Sequence, residues 1–166
     1  LLFWGCDPET TPWFYLAGLP SRMMLFYREL GIKQVYICPD VNYGAAVHAD
    51  KWIPILPNTD AALQLAVAYV WITEGTYDEE YVESRTVGFD EFKKNILGEN
   101  DGVPRTPEWA AEKCDIPARV IWALAREWAS KRTTLSTGMR GGMGGACRQA
   151  YGHEWARLMV LLQAMQ

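Results

Sequence analysis

Apolar and polar positions alternate between two periods along this chain, and the switches between them outline an α/β protein. Leu1 to Trp4 is continuously apolar and stops at Gly5-Cys6-Asp7-Pro8, the pattern of a short strand buried on both faces. After a Thr- and Pro-containing loop, Ser21 is placed to cap a helix carrying Met23, Met24, Phe26, Tyr27 and Leu30, and Gly31 is placed to end it. Lys33 to Cys38 is rich in β-formers, stops at Pro39-Asp40, and reads as a second strand. Strand, helix and strand in this order form a βαβ unit with parallel neighbours and a right-handed crossover.

Trp52 to Leu56 is a third extended stretch, and Pro54 demotes it to an edge or irregular strand. Pro57-Asn58-Thr59-Asp60 follows, with Asn58 or Thr59 as the cap of a helix through about Thr73 that is apolar almost all round. Gly75 breaks it. Asp78 to Gly98 reads as two short amphipathic surface helices separated by Gly88, and Gly98 to Arg105 as a loop. Pro107 starts a short helix, and Pro117 starts a longer one with Val120, Ile121, Leu124 and Trp128 on one face. Thr133 to Ser136 is the fourth strand; it runs into a glycine-rich stretch, after which a terminal helix begins near Arg148 or Gln149. The expected fold is a Rossmann-like, three-layer α/β domain over residues 1–166, with a mostly parallel sheet of about four strands.

Composition narrows the classes. Of 166 residues, 49% are hydrophobic and 22% charged, with eight Trp, eight Tyr and five Phe, which is too apolar and aromatic for disorder. A chain of this length buries roughly 70% of its unfolded surface and needs no staples. The formal charge of -4, with no basic run interleaved with aromatics, disfavours a general nucleic-acid surface. No apolar stretch approaches the roughly 20 residues needed to span a bilayer. Cys6, Cys38, Cys114 and Cys147 form no CxxC pair and no cluster-binding run, so free thiols are the plain reading; His48 and His153 are too isolated to argue for a metal. His48 reads as a helix-end or loop histidine. The apolar ends, Leu1-Leu2-Phe3-Trp4 and Leu158 to Leu162, are expected of a piece of a longer polypeptide rather than of loose natural termini.

In an open parallel sheet, ligands bind outside the carboxyl ends of the strands. Gly5-Cys6-Asp7-Pro8-Glu9-Thr10, Pro39-Asp40, Pro57 to Asp60 and the glycine run all fall at such ends. Glycines admit a phosphate to the backbone, helix N-termini offer amide donors, and an acid accepts from a ribose or a guanine edge. A nucleotide-type site follows. The dinucleotide fingerprint is absent, because Gly142-Met143-Gly144 has Cys147 in place of its third glycine, and no GK[ST] marks a P-loop.

Trp4 to Pro12, Ile32 to Asp40, Ala49 to Gly75 and the strand-to-glycine turn Leu135 to Gly142 resemble the molybdopterin oxidoreductase (dimethyl sulfoxide reductase) family over essentially the whole chain. The resemblance implies a domain of a catalytic subunit that holds a guanosine end of a bis-(molybdopterin guanine dinucleotide) cofactor carrying molybdenum or tungsten. Pro57-Asn58-Thr59-Asp60 matches the family's P-G-T-D, with Asn58 in place of Gly. It implies that Asp60 pairs with the guanine N1 and N2 donors, with Thr59 capping the helix in support. Gly5, Asp7 and Pro8 match the start of the family's G-x-N-P-x-x-T, with Cys6 at the variable position, Asp7 in place of Asn and Thr10 beside the position of the pattern's Thr. Cys38-Pro39-Asp40 stands where the family has D-P-R, and implies a ribose contact from Asp40. Gly138, Met139 and Arg140 match the segment near the pterin and phosphates, where Arg140 pairs with a phosphate.

The same resemblance implies that the metal's protein ligand and an iron–sulfur cluster lie elsewhere in the parent subunit, and that this chain by itself has no turnover. It also implies partners in the remainder of the catalytic subunit and in an iron–sulfur electron-transfer subunit. Self-association through apolar surface left uncovered is expected as well. Within the family, the wording around Trp4 to Thr10 and Ile37 to Pro54 resembles the branch holding pyrogallol transhydroxylase and the catechol dehydroxylases of anaerobic bacteria. Two alternatives from other classes stay open: a non-catalytic nucleotide-binding or assembly α/β module, and a small NAD-dependent enzyme.

Overall fold

The computed structural model describes residues 1–10, 18–136 and 145–166. Elements run in the order β1 (Leu2–Trp4), α1 (Leu19–Glu29), β2 (Val35–Ile37), α2 (Tyr43–His48), β3 (Lys51–Ile53), α3 (Asp60–Glu74), α4 (Glu79–Arg85), α5 (Phe89–Leu97), α6 (Pro107–Cys114), α7 (Ala118–Ala129), β4 (Leu135–Ser136) and α8 (Gly152–Ala164). A 3₁₀ turn at Gly145–Arg148 precedes α8. The fold is α/β, as expected, and these residues divide into two compact units, one of Leu1–Asn58 with Thr133–Ala156 and the other of Thr59–Arg132 with Arg157–Gln166.

The first unit holds the sheet. Its four strands are all parallel, in the order β3-β2-β1-β4. β3 is an edge strand and stops at Ile53, because Pro54 has no N–H to continue the ladder. Leu2, Phe3 and Trp4 pair with Val35, Tyr36 and Ile37. Phe3 and Tyr36, directly opposite, stack with ring centroids 4.6 Å apart, and join Met24, Cys6, Cys38 and Ala45 in a buried cluster. On this face an apolar cavity of about 140 Å³ opens between Phe3, Pro8, Met23, Met24, Tyr27 and Thr134.

Two local readings are corrected here. Helix α1 begins two residues before Ser21, with Pro20 in its first turn and Gly18 at the cap in the left-handed region (φ 82°), so Ser21 is an interior residue. Helix α2 has no counterpart in the expected elements: six residues capped by Asn42, whose side chain accepts from the Ala45 N–H at 2.8 Å. α2 lies close on Tyr36, since a Cβ on Gly44 would stand 2.8 Å from the ring.

The second unit is helical. α3 buries ten of its residues, Asp60 and Gln64 among them, as an all-round apolar helix must. Trp71 crosses Trp128 of α7 edge-on at 4.9 Å, and its Nε1–H donates to Ala125 O at 2.8 Å. Gly75 ends α3 at φ 62°, and α4 and α6 are capped by the side chains of Asp78 and Thr106.

Candidate functional site

Strand order decides where a ligand would sit. From β1 the chain steps to β2 and β3 on one side, and β4 joins β1 on the other. The order therefore reverses between β1 and β4, and the crevice at their carboxyl ends is the switch point of the sheet. The loop from Gly5 to Thr10 follows β1 there, and β4 ends there at Ser136.

The β1 loop is built around Asp7. Its Oδ1 accepts from the Glu9 N–H at 3.0 Å and the Thr10 N–H at 3.3 Å, and its Oδ2 accepts from the Thr10 hydroxyl at 2.7 Å. This is an Asx turn closed by a threonine, and its oxygen acceptor is available to Asp or Asn alike. The Asp-for-Asn difference from the family pattern is thereby given a physical role: the carboxylate is buried and turned into its own loop. Gly5 holds φ 62°, donates its N–H to Ile37 O at 2.9 Å and accepts from the Ala146 N–H at 3.2 Å. A Cβ at Gly5 would stand 2.6 Å from the Ala146 Cβ. Glycine is required here by backbone sign and by the close approach of the segment following β4. Cys6 is buried and its thiol donates to Ser136 O at 3.4 Å, while Pro8 lines the apolar cavity.

The second loop turns about Cys38. Its thiol donates to Asp40 O at 3.2 Å, and its carbonyl accepts from the Trp52 indole N–H at 3.1 Å. Burial pushes the thiol up to about 11, with the Asp40 charge adding to the effect, so Cys38 is an inert packing thiol. Pro39 and Asp40 are exposed at the strand end, with the Asp40 carboxylate in solvent and its carbonyl spent on the turn.

The third loop explains its departure from the family pattern. Asn58 has φ 68°, in the left-handed region that Gly fills best and Asn next best. Its N–H donates to the Gln149 side-chain oxygen at 2.9 Å, which ties this loop to the residues following the 3₁₀ turn. Pro57 is exposed. Thr59 occupies the cap position of α3, but at φ -112° and ψ 5° its side chain makes no capping hydrogen bond, which corrects the expected role. Asp60 lies in the first turn of α3, 4% exposed. Gly138, Met139 and Arg140 lie outside the described residues.

Sequence reasoning missed one pair. His48, the last residue of α2, places Nε2 3.0 Å from Oε2 of Glu9, and the two side chains are 2% and 3% exposed. The contact is close without being a formed hydrogen bond; neither Glu9 oxygen nor His48 Nδ1 has a hydrogen-bond partner among the described residues. No signal in the sequence links residues this far apart. Among the described residues no group of three or more His, Cys, Asp and Glu is arranged to hold a metal, and no helix is long and apolar enough to cross a membrane.

Three turned backbones and the exposed Thr10, Asp40 and Asn58 lie at strand ends, while both acids of the β1 loop point away from solvent.

No protein-family model matches the chain. It is 46% identical over its whole length to the pyrogallol hydroxytransferase large subunit of Pelobacter acidigallici, covering 19% of that protein. It is 30% identical over 99% of its length to a trimethylamine-N-oxide reductase of Haemophilus influenzae, covering 20% of it, and 35% identical over 83% to a dimethyl sulfoxide/trimethylamine N-oxide reductase of Cereibacter sphaeroides. Among solved structures, acetylene hydratase from Pelobacter acetylenicus shares the fold, with a TM-score of 0.75 at 24% identity, over 99% of this chain and 20% of that one. The chain spans about one-fifth of the length of these relatives.

Proposed function

Because this chain belongs to the dimethyl sulfoxide reductase family of molybdopterin oxidoreductases, we propose that residues 1–166 work as one cofactor-binding domain of a larger catalytic subunit. Its ligand is the guanosine and pyrophosphate end of a bis-(molybdopterin guanine dinucleotide). When bound, that cofactor supplies two-electron chemistry at molybdenum or tungsten; the chain contributes binding, orientation and electrostatics. The observation that carries the reading is the meeting of the β1 loop with the segment after β4 at the switch point, through the Ala146 N–H on Gly5 O.

In this reading the residues divide their work. Asp60, in the first turn of α3, accepts from guanine N1 and N2. Gly5, with no side chain, and the exposed Thr10, set by the Asp7 turn, leave room beside a phosphate. Asp40, exposed after β2, accepts from a ribose hydroxyl. Gly138, Met139 and Arg140 serve the pterin side. The parent reaction is a dehydroxylation or transhydroxylation of a phenolic substrate, a choice supported by the 46% identity to a pyrogallol hydroxytransferase subunit. The metal's protein ligand and an iron–sulfur cluster belong to other parts of the parent, and an iron–sulfur subunit is the electron partner. Leu25 and Phe26 on α1 and Leu30 at its C-terminal cap leave about half of their surface exposed, and support packing against the rest of the subunit or self-association.

Titration calorimetry with GDP, ATP and NAD tests the reading. GDP is expected to bind at least tenfold more tightly than either adenine nucleotide. Equal affinity for all three contradicts a guanosine site, and exclusive binding of NAD supports a dehydrogenase instead.

A further inference from the structure

The β1 loop carries two carboxylates within three residues, Asp7 and Glu9, and in the proposed reading this loop faces an anionic pyrophosphate. Asp7 is held by three donors of its own loop. Glu9 has no such donors among the described residues; its side chain is 3% exposed, and the imidazole of His48 approaches it at 3.0 Å. A buried carboxylate without a counter-charge is costly, and it would project its charge through a poorly screened interior.

From this geometry we infer that His48 is a positioning residue of the cofactor site: it is the buried partner of the Glu9 carboxylate, and it offsets the charge of an acidic loop toward a phosphate ligand. The inference rests on the nucleotide reading of the site. The position of His48 fits the role. It closes α2, and its side chain is 2% exposed, so solvent ions do not substitute for it. Among the described residues, the other titratable and charged groups named for the surrounding elements are neutral, acidic or engaged elsewhere. Tyr36 of β2 stays neutral, its phenol driven up chiefly by burial and next by the Glu9 charge itself. Cys38 stays a thiol. Asp7 in the loop and Asp50 after α2 are acids; the latter accepts from the Gln34 N–H at 2.7 Å. Arg28 of α1 donates to Val47 O at 3.0 Å, and its contact is exposed.

The test compares the wild type with His48→Gln, Glu9→Gln and the double variant, reading melting temperature and the Kd for GDP between pH 5 and 8. His48→Gln is expected to lower the melting temperature by roughly 10 °C at pH 6, and to weaken GDP on the order of tenfold there. The double variant, with no charge to balance, is expected to recover stability and GDP affinity and to show a flat profile. A variant that folds less stably but binds GDP as the wild type does at every pH overturns the inference, as does a double variant that fails to recover affinity. If the wild type binds no GDP while the stability coupling is present, the nucleotide reading fails and the electrostatic role falls with it. That outcome is distinct from a wild type that binds and a His48→Gln variant that binds equally well.

Discussion

Asp7 shows how one side chain sets a loop without touching a ligand. Three donors converge on its carboxylate, so removing it leaves the Glu9 and Thr10 amides and a hydroxyl to find other partners. Asp7→Ala is expected to cost about 1–3 kcal/mol in denaturant unfolding, and Asp7→Asn, which keeps the Oδ1 acceptor, less than half of that. Equal losses would show that charge, rather than the turn, is what the position needs. Cys38 gives a pH dependence at the same scale. Its thiol rises from the ordinary 9.0 to about 11 on burial, so the folded state holds its proton where the unfolded chain has lost it. This stabilisation is complete below pH 9 and is lost as the pH climbs from 9 to 11. Tyr36, raised by burial as well, adds to the fall above pH 10. Unfolding free energy should decline steadily over pH 9 to 11, and Cys38→Ala should flatten the first part of that decline.

At the scale of elements, the packing of α2 on Tyr36 gives the sharpest prediction. A Cβ on Gly44 would stand 2.8 Å from Cε1 and 3.0 Å from the hydroxyl of a ring already stacked on Phe3, so neither partner can give way. Gly44→Ala should therefore destabilise by about 1–3 kcal/mol in thermal or denaturant unfolding, although alanine is the better helix former by about 1 kcal/mol. A gain in stability would mean that α2 moves freely on the sheet. This helix also marks where sequence reasoning stops. β1, β2, α3, α7 and β4 were legible because their apolar periodicity is local, and Pro54, Gly31 and Gly75 punctuate them. α2 was not: its six residues are mostly small, and it is held by one Asn42 cap and by a tyrosine in another element. The start of α1 at Leu19 was hidden for a similar reason, since Gly18 in a left-handed cap competes with the better cap signal of Ser21.

Across the whole molecule, the sequence showed the strand-end loops as ligand-bearing but not the contacts that hold them. The pairing of Gly5 with Ala146 and of Asn58 with Gln149 depends on strand order, which no local pattern contains. Strand order also turns four loops of similar promise into one switch point between β1 and β4. Glu9 and His48 were invisible for the same reason: each is unremarkable along the chain, and their significance lies in mutual burial. The described parts of these loops are held by side chains, Asp7 within its own loop and Gln149 on Asn58. The central proposal is that the chain recognises a guanosine phosphate, with Asp60 reading the base. The most direct measurement is the ratio of GDP to ADP dissociation constants for the wild type and for Asp60→Ala. A guanine preference of tenfold or more in the wild type that vanishes in the variant, with ADP affinity unchanged, is the predicted result; a wild-type ratio near one, or a preference that survives the loss of Asp60, would contradict it.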